Sequence, residues 1–284
     1  MKDKTILITG ATNGIGKATA IHLAQQGHRV VIVGRNPTKT EATLQEIRSA
    51  SGNDAVHSLL ADLTVQSQVR QLAEDFKRDY ERLDVLINNA GTIYNKYGKS
   101  TDGIEQSVAL NHMAYFVLTC ELLDMLAETG TSDQNARIIN TSSSGHRMGA
   151  RSLFSNFQGE HGYNGFVAYC RTKLANVLFT YALAHRIKDH PITVNTWNPG
   201  TVNTAPGISD TMLVRFFQVF NPGFMVEPEI GSSTAVYLAT SPDVEGMSGH
   251  YFHKGKSVAS SRFSQEEANQ ERLWDMTEDL MVEI

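Results

Sequence analysis

The stretch Thr5-Ile6-Leu7-Ile8-Thr9-Gly10-Ala11-Thr12-Asn13-Gly14-Ile15-Gly16 decides the fold. Thr5–Thr9 is a short β-branched and apolar run, the pattern of a strand buried on both faces. A glycine-bearing turn follows, then an amphipathic segment over Gly16–Gln26 that closes at Gly27, where a left-handed residue is wanted. Glycines at this junction let the backbone turn tightly and approach a pyrophosphate, while the helix N-terminus offers free N–H groups and a partial positive charge. The spacing is GxxxGxG, not GxGxxG, and a tight strand-to-helix turn accounts for the glycines by themselves. Their place after a first strand, opening a helix, favours a phosphate cradle made of Gly10, Thr12, Asn13, Gly14, Ile15 and Gly16.

The same alternation continues outward. Arg29–Val33, Ala55–Leu59, Asp84–Ile87, Arg137–Thr141 and Thr193–Trp197 read as further strands. Pro37–Ala50, Val65–Tyr80, Asp102–Leu126 and Phe166–Lys188 read as helices between them. Asn36 is the expected cap of the second helix, with Pro37 at its first position. Alternating β and α elements imply an α/β fold, a doubly wound parallel sheet with right-handed crossovers. No linker, repeat or low-complexity segment divides the chain, so residues 1–284 are expected to form one domain.

Composition narrows the function. The chain of 284 residues is 41% hydrophobic and 19% charged, with a net charge of −5, which leaves no basic excess for nucleic acid. Its two cysteines, Cys120 and Cys170, make no disulfide framework or CxxC pair, and its ten histidines are scattered, so no metal site is expected. His250 and His253 stand in a strand-like stretch without an acidic or Cys partner. No apolar run approaches the ~20 residues of a transmembrane segment, and Ile6–Ile8 is too short for a signal core. A cytoplasmic protein is expected, with monomer and homodimer both open.

The second strand ends in Val33-Gly34-Arg35-Asn36. An acidic residue there binds ribose hydroxyls and repels a 2′-phosphate. Arg35 instead supplies a fork suited to that phosphate, which favours NADP(H) over NAD(H); the bland alternative is a solvated arginine on a capping loop.

Tyr169 and Lys173 are four apart within AYCRTKLANVLFTYAL, on one face of a helix. An ammonium beside a phenol, with an oxidised nicotinamide adding a second positive charge, favours the phenolate and is expected to bring its pKa down toward ~7. By itself such a pair is common on solvated helix faces. Upstream, the strand Ile138–Thr141 runs into Ser142-Ser143-Ser144-Gly145, placing hydroxyls where parallel sheets bind ligands. Thr141 occupies the place where an esterase elbow needs glycine.

Taken in order, Thr9–Gly16, Asp62-Leu63, Asn88-Asn89-Ala90-Gly91, Asn111, Ser143, Tyr169 with Lys173, and Asn198-Pro199-Gly200 resemble the short-chain dehydrogenase/reductase superfamily. DVLINNAG, STDGIEQSVALNHMAYFVLT, AYCRTKLANVLF and VYLATSPDVEGMSGHYF resemble its retinol dehydrogenase group, near the WW-domain oxidoreductases and protochlorophyllide reductases. The resemblance implies a Rossmann fold and hydride transfer between NADP(H) and a small-molecule carbonyl or alcohol. It implies that Tyr169 is the general acid/base, that Lys173 lowers the phenol pKa and binds the nicotinamide ribose, and that Ser143 orients the carbonyl. Asn111 would hold a water linking Lys173 to solvent. Asp62 and Leu63 would contact adenine, Asn89 and Gly91 the adenosine ribose side, and Pro199, Gly200, Val202 and Thr204 the nicotinamide carboxamide and phosphate. A non-catalytic dinucleotide-sensing protein and a reductase of conjugated double bonds are the alternative readings.

Two stretches vary from the simplest members. Residues 144–168, with Met148, Leu153, Phe154, Phe157 and Phe166, read either as a lid over substrate or as a surface excursion anchored by its aromatics. Residues 204–226 carry Phe216, Phe217, Phe220, Phe224 and Met225, either core or the wall of a pocket for a bulky apolar, retinoid-like compound. The tail Gln265–Met281 reads as a helix packing Leu273, Thr277, Leu280 and Met281 against the sheet.

Overall fold

The computed structural model describes residues 4–200 and 228–282. Strand β1 (Thr5–Thr9) is buried along its whole length, and its alternate side chains feed two cores. Leu7 points into one with Val31, Leu86 and Ile138; Ile6 and Ile8 point into the other with Val30, Ile32 and Val85. That period of two, apolar on both faces, is what a central parallel strand between helical layers requires.

The elements in chain order are β1, α1 (Gly14–Gln25), β2 (Arg29–Gly34), α2 (Pro37–Ser51), β3 (Val56–Leu60), α3 (Gln66–Asp79) and β4 (Val85–Asn88). Next come α4 (Gln106–Val108), a π turn (Ala109–Met113), α5 (Ala114–Thr129), β5 (Ala136–Thr141), α6 (Gly165–Arg186) and β6 (Ile192–Asn198). The chain closes with α7 (Pro228–Thr240), β7 (His250–His253), β8 (Lys256–Ser257), α8 (Arg262–Gln265) and α9 (Glu267–Glu278).

The eight strands form one sheet in the order β3-β2-β1-β4-β5-β6-β7-β8. All neighbours are parallel except the β7–β8 pair. Helices α3, α5 and α6 cover the face that carries Leu7; α1, α2 and α7 cover the other. Strand order reverses between β1 and β4, which opens a crevice at their C-terminal ends, where α/β sheets bind ligands.

Buried amides fix the strand ends below that crevice. Asn88 and Asn140 are register partners, and Asn88 donates to the Asn140 side-chain oxygen at 3.0 Å. Asn140 in turn donates to the Thr180 hydroxyl on α6 at 3.0 Å.

Several expectations hold in detail. Asn36 caps α2 by accepting from the Lys39 amide at 2.9 Å, and Gly27 is left-handed with φ +85°. Others need correction. The run read as one helix over Asp102–Leu126 starts at Gln106 and passes through the π turn before α5. Strand β3 is only partly buried, because it lies at the sheet edge. Strands β7 and β8 form a hairpin through Lys254 (φ +50°) and Gly255 (φ +72°), the two positive φ values of a tight two-residue turn. The C-terminal helix rests on helices: the Trp274 ring lies 4.9 Å from Phe116 of α5 and 5.9 Å from Phe179 of α6.

The excursion over residues 144–168 is fastened down. Leu153 and Phe157 are buried in the core. Glu105, wholly buried, caps α4 by accepting from the Ser107 and Val108 amides and accepts from the Tyr163 hydroxyl at 3.0 Å. Gln158 accepts from the Glu105 amide at 2.8 Å. Residues 204–226 and their aromatics lie outside the described residues.

Candidate active site

The crevice encloses about 530 Å³. Along the strand order it is walled by Arg35, Asp62 and Leu63 at the ends of β2 and β3, then by the cradle residues Gly10, Thr12, Asn13, Gly14, Ile15 and Gly16 after β1. Asn89 and Gly91 follow β4, and Tyr169, Lys173, Pro199 and Gly200 close the β5–β6 side. Asn111 and Ser143 are not on the wall, although both touch residues that are. Val202 and Thr204 lie outside the described residues.

The cradle has no room for side chains. Gly10 has φ +66°, and a Cβ there would lie 2.6 Å from the Ala90 backbone. A Cβ on Gly16 would press on the Gly10 carbonyl and stand 2.5 Å from the Asn89 amide nitrogen. Asn89 braces the turn by donating to the carbonyls of Thr9 and Gly10 at 3.0 and 3.1 Å. Asn13 is extended and its side chain makes no cap bond, so the first N–H groups of α1 are left for a ligand. The glycines, bracing and open helix end fit a dinucleotide pyrophosphate.

At the β2 end, Gly34 is equally confined: a Cβ would press on the Thr40 hydroxyl and lie 2.8 Å from a Thr12 methyl. Thr40 is buried and donates to the Asn36 carbonyl at 2.8 Å. The Arg35 side chain is 69% exposed and pairs with Asp62 at 3.6 Å. Burial pushes the Asp62 carboxyl up, but bonds from Thr64 and the Arg35 guanidinium together hold it below its ordinary value.

At the β5–β6 side, α6 carries Tyr169 and Lys173 inward. Lys173 Nζ donates to the Thr141 carbonyl at 3.0 Å and lies 5.6 Å from the Tyr169 ring centre and 5.5 Å from that of Tyr115. The Ser143 hydroxyl stands near the Tyr169 phenol and lowers its pKa, and it accepts from the Gly145 amide at 3.1 Å. Its neighbour Ser142 is committed elsewhere, donating to the Lys173 carbonyl at 2.8 Å. Trp197 Nε1 steadies the end of β5 by donating to the Thr141 hydroxyl at 3.1 Å. Asn111, in the π turn, exchanges two 2.9 Å bonds with the Thr92 backbone.

The electrostatics differ from the expectation in one respect. Burial pushes Tyr169 up to about 12, and the Ser143 hydroxyl offsets only part of that. Burial also drives Lys173 down to about 7. Removing both groups from water penalises charge on each, so in the chain alone the ammonium does not bring the phenol down; the expected shift also counts the charge of an oxidised nicotinamide. At neutral pH Tyr169 holds its proton and is poised as a donor.

Residues missed in the sequence include Thr141, whose carbonyl receives Lys173, and Tyr94, which joins the cavity wall. Tyr115 also escaped notice, although its place shortly after Asn111 was a usable signal.

A family model described as short chain dehydrogenase matches residues 4–210. Mouse "Retinol dehydrogenase 11" is 38% identical over 278 residues, covering 98% of this chain and 86% of that protein. Human "Polyprenol dehydrogenase" is 34% identical, covering 96% of this chain and 83% of its own length. Among solved structures, the Pseudomonas aeruginosa RhlG/NADP active-site complex superposes with TM-score 0.71 at 26% identity, covering 88% of this chain and 93% of the other.

Proposed function

Because the chain belongs to the short chain dehydrogenase family of oxidoreductases, we propose that it reduces a bulky apolar aldehyde or ketone with NADPH, or runs the reverse alcohol oxidation. The observation that carries this reading is the grouping of Ser143, Tyr169 and Lys173 at one end of a glycine cradle that fits a dinucleotide. The cofactor supplies hydride to the carbonyl carbon when bound.

The chain's own residues handle the oxygen. Ser143 orients it by hydrogen bonding and opposes the negative charge that develops there. Tyr169 gives its proton to it, a downhill transfer even from a phenol pushed up to about 12. The Lys173 ammonium then faces the phenolate left behind. The Asn111 carbonyl, which accepts from Asn176 at 2.9 Å, keeps a second lone pair for a water that returns the proton. Reduction is therefore expected to slow as pH rises through about 7, where Lys173 loses its proton. Alcohol oxidation, which needs phenolate, is expected to rise toward alkaline pH. Rate profiles in both directions check this; a reduction rate flat from pH 5 to 9 contradicts it.

Arg35 supports the choice of NADP(H). Its pairing with Asp62 is exposed and long, at 3.6 Å; such pairs are worth about 1 kcal/mol at most, so the guanidinium is free to turn to a 2′-phosphate. Arg35→Ser is expected to weaken NADPH binding roughly tenfold or more while leaving NADH nearly unchanged. Fluorescence titration of both cofactors reads the difference, and equal losses sink the assignment.

The substrate class rests on relatives named for retinol and polyprenol, both apolar alcohols. Turnover with a panel of aldehydes and ketones, retinal among them, tests it; uniform rates across small polar and large apolar carbonyls contradict it. A cytoplasmic site fits the two free thiols, Cys120 and Cys170. Among the described residues no helix is long and apolar enough to cross a membrane.

A further inference from the structure

Asn176 lies one turn after Lys173 on α6, fully buried, and the chemistry above gives it no part. Its Nδ2 stands 2.9 Å from the Asn111 carbonyl oxygen and 3.3 Å from that of Thr141. Both are pure acceptors, so the amide must turn its NH₂ toward them and its Oδ1 away. Oδ1 then meets Nδ1 of His112 at 3.1 Å, which fixes the ring proton on Nδ1. Burial drives His112 down to about 4, so the ring is neutral, and its Nε2 lies 2.9 Å from the Thr277 hydroxyl. That hydroxyl donates to the Leu273 carbonyl at 2.8 Å, which holds it beside the ring. His112 Nδ1 thus donates to Asn176, and Asn176 in turn donates to two carbonyls, while α9 packs Thr277 against the far ring nitrogen.

One of those carbonyls, Thr141, is the oxygen that receives Lys173 Nζ. We propose that Asn176, aimed by His112, is a positioning residue for Lys173: it ties the end of β5 to the π turn and shares the acceptor that locates the ammonium. The titratable groups against Lys173 are the phenols of Tyr169 on its own helix and Tyr115 on α5. The end of β5 presents the carbonyl of Thr141, and Gly91 after β4 closes the near side. Burial alone accounts for its lowered pKa, with no carboxylate contributing. The neighbouring His112 bonds Asn176, which shares the Thr141 carbonyl with Lys173.

The kinetic half of the test rests on the reductase reading, so wild-type turnover is measured first. Asn176→Leu and His112→Leu are each expected to lower kcat about tenfold or more while NADPH binding stays within about threefold. The double variant should lose no more than Asn176→Leu alone, because His112 acts through that amide. His112→Asn, whose amide N–H stands close to the lost Nδ1–H, should recover most of the rate. Unchanged kcat in Asn176→Leu, or losses that multiply in the double variant, overturns the proposal. Asn176→Ser serves if the leucine variant does not fold.

A second readout does not require turnover. In protein labelled with ¹³C at the lysine ε-carbon, with Lys173→Ala used for assignment, the Lys173 midpoint should rise in Asn176→Leu. The ammonium then has the Thr141 oxygen to itself, which favours its charged form. An unmoved midpoint overturns the proposal even if the wild type reduces no carbonyl, a result that would sink the reductase reading alone.

Discussion

Tyr169→Phe is expected to lower turnover about a thousandfold, within the range for removing a general acid, and to leave NADPH binding within a few-fold. The ring stays, so packing against Lys173 at 5.6 Å is kept; only the hydroxyl beside Ser143 and its proton are lost. Burial has already pushed this phenol up to about 12, so no other protonation state at neutral pH compensates. Steady-state kinetics with a reactive aldehyde, beside a cofactor titration, separates the two effects. A variant retaining more than a tenth of the wild-type kcat removes Tyr169 from the chemistry.

Lys173→Met is expected to lose activity and gain stability together. The folded chain holds this lysine at about 7 instead of its ordinary 10.5 because burial penalises the ammonium. Between those values the unfolded chain binds more protons than the folded one, so wild-type stability rises with pH across that window. Methionine fills a similar volume without charge and escapes the penalty. The variant's advantage is therefore greatest at and below pH 7 and fades toward pH 10.5, where the wild-type lysine is neutral in both states. A shift of this size corresponds to a few kcal/mol, or roughly 5–10 °C in melting midpoint, less the lost bond to Thr141. Melting curves at pH 6 and pH 10 decide it: a variant less stable than wild type at pH 6, or a gap independent of pH, contradicts the account. Turnover should fall at least a hundredfold.

Much of this architecture could be read from residues in order. Buried parallel strands leave near-continuous apolar runs, which is why Thr5–Thr9 and Arg29–Gly34 could be found. The glycine cradle is legible because no other residue fits: Gly10 abuts the Ala90 backbone. The π turn is not legible, since one extra residue in a helical run barely alters apolar periodicity. The β7–β8 hairpin was hidden because Lys254, not Asn or Asp, takes the first positive φ. At the site, spacing correctly suggested that Tyr169 and Lys173 share a face, but it carries no information about how deeply both are buried. Desolvation raises the phenol in the chain alone, whereas the lowered value expected from the sequence includes the positive charge of an oxidised nicotinamide. Asn176 was within reach: three residues after Lys173 on the same helix, it occupies the adjacent turn of the same face.

Gly34 limits how this chain can change its cofactor. A direct route from a phosphate-tolerant site to one that reads ribose hydroxyls is an acidic side chain at the end of β2. At Gly34 that route is closed to a single substitution, because the first carbon of any side chain meets the Thr40 hydroxyl and a Thr12 methyl. Thr40 cannot simply step aside; it is buried and hydrogen-bonded to the carbonyl of the residue that caps α2. A lineage or a designer seeking the other cofactor through this glycine must alter Thr40 in the same move, or else work at the exposed Arg35. The proposed preference for NADP(H) would thus be guarded by packing behind the site as well as by charge in front of it.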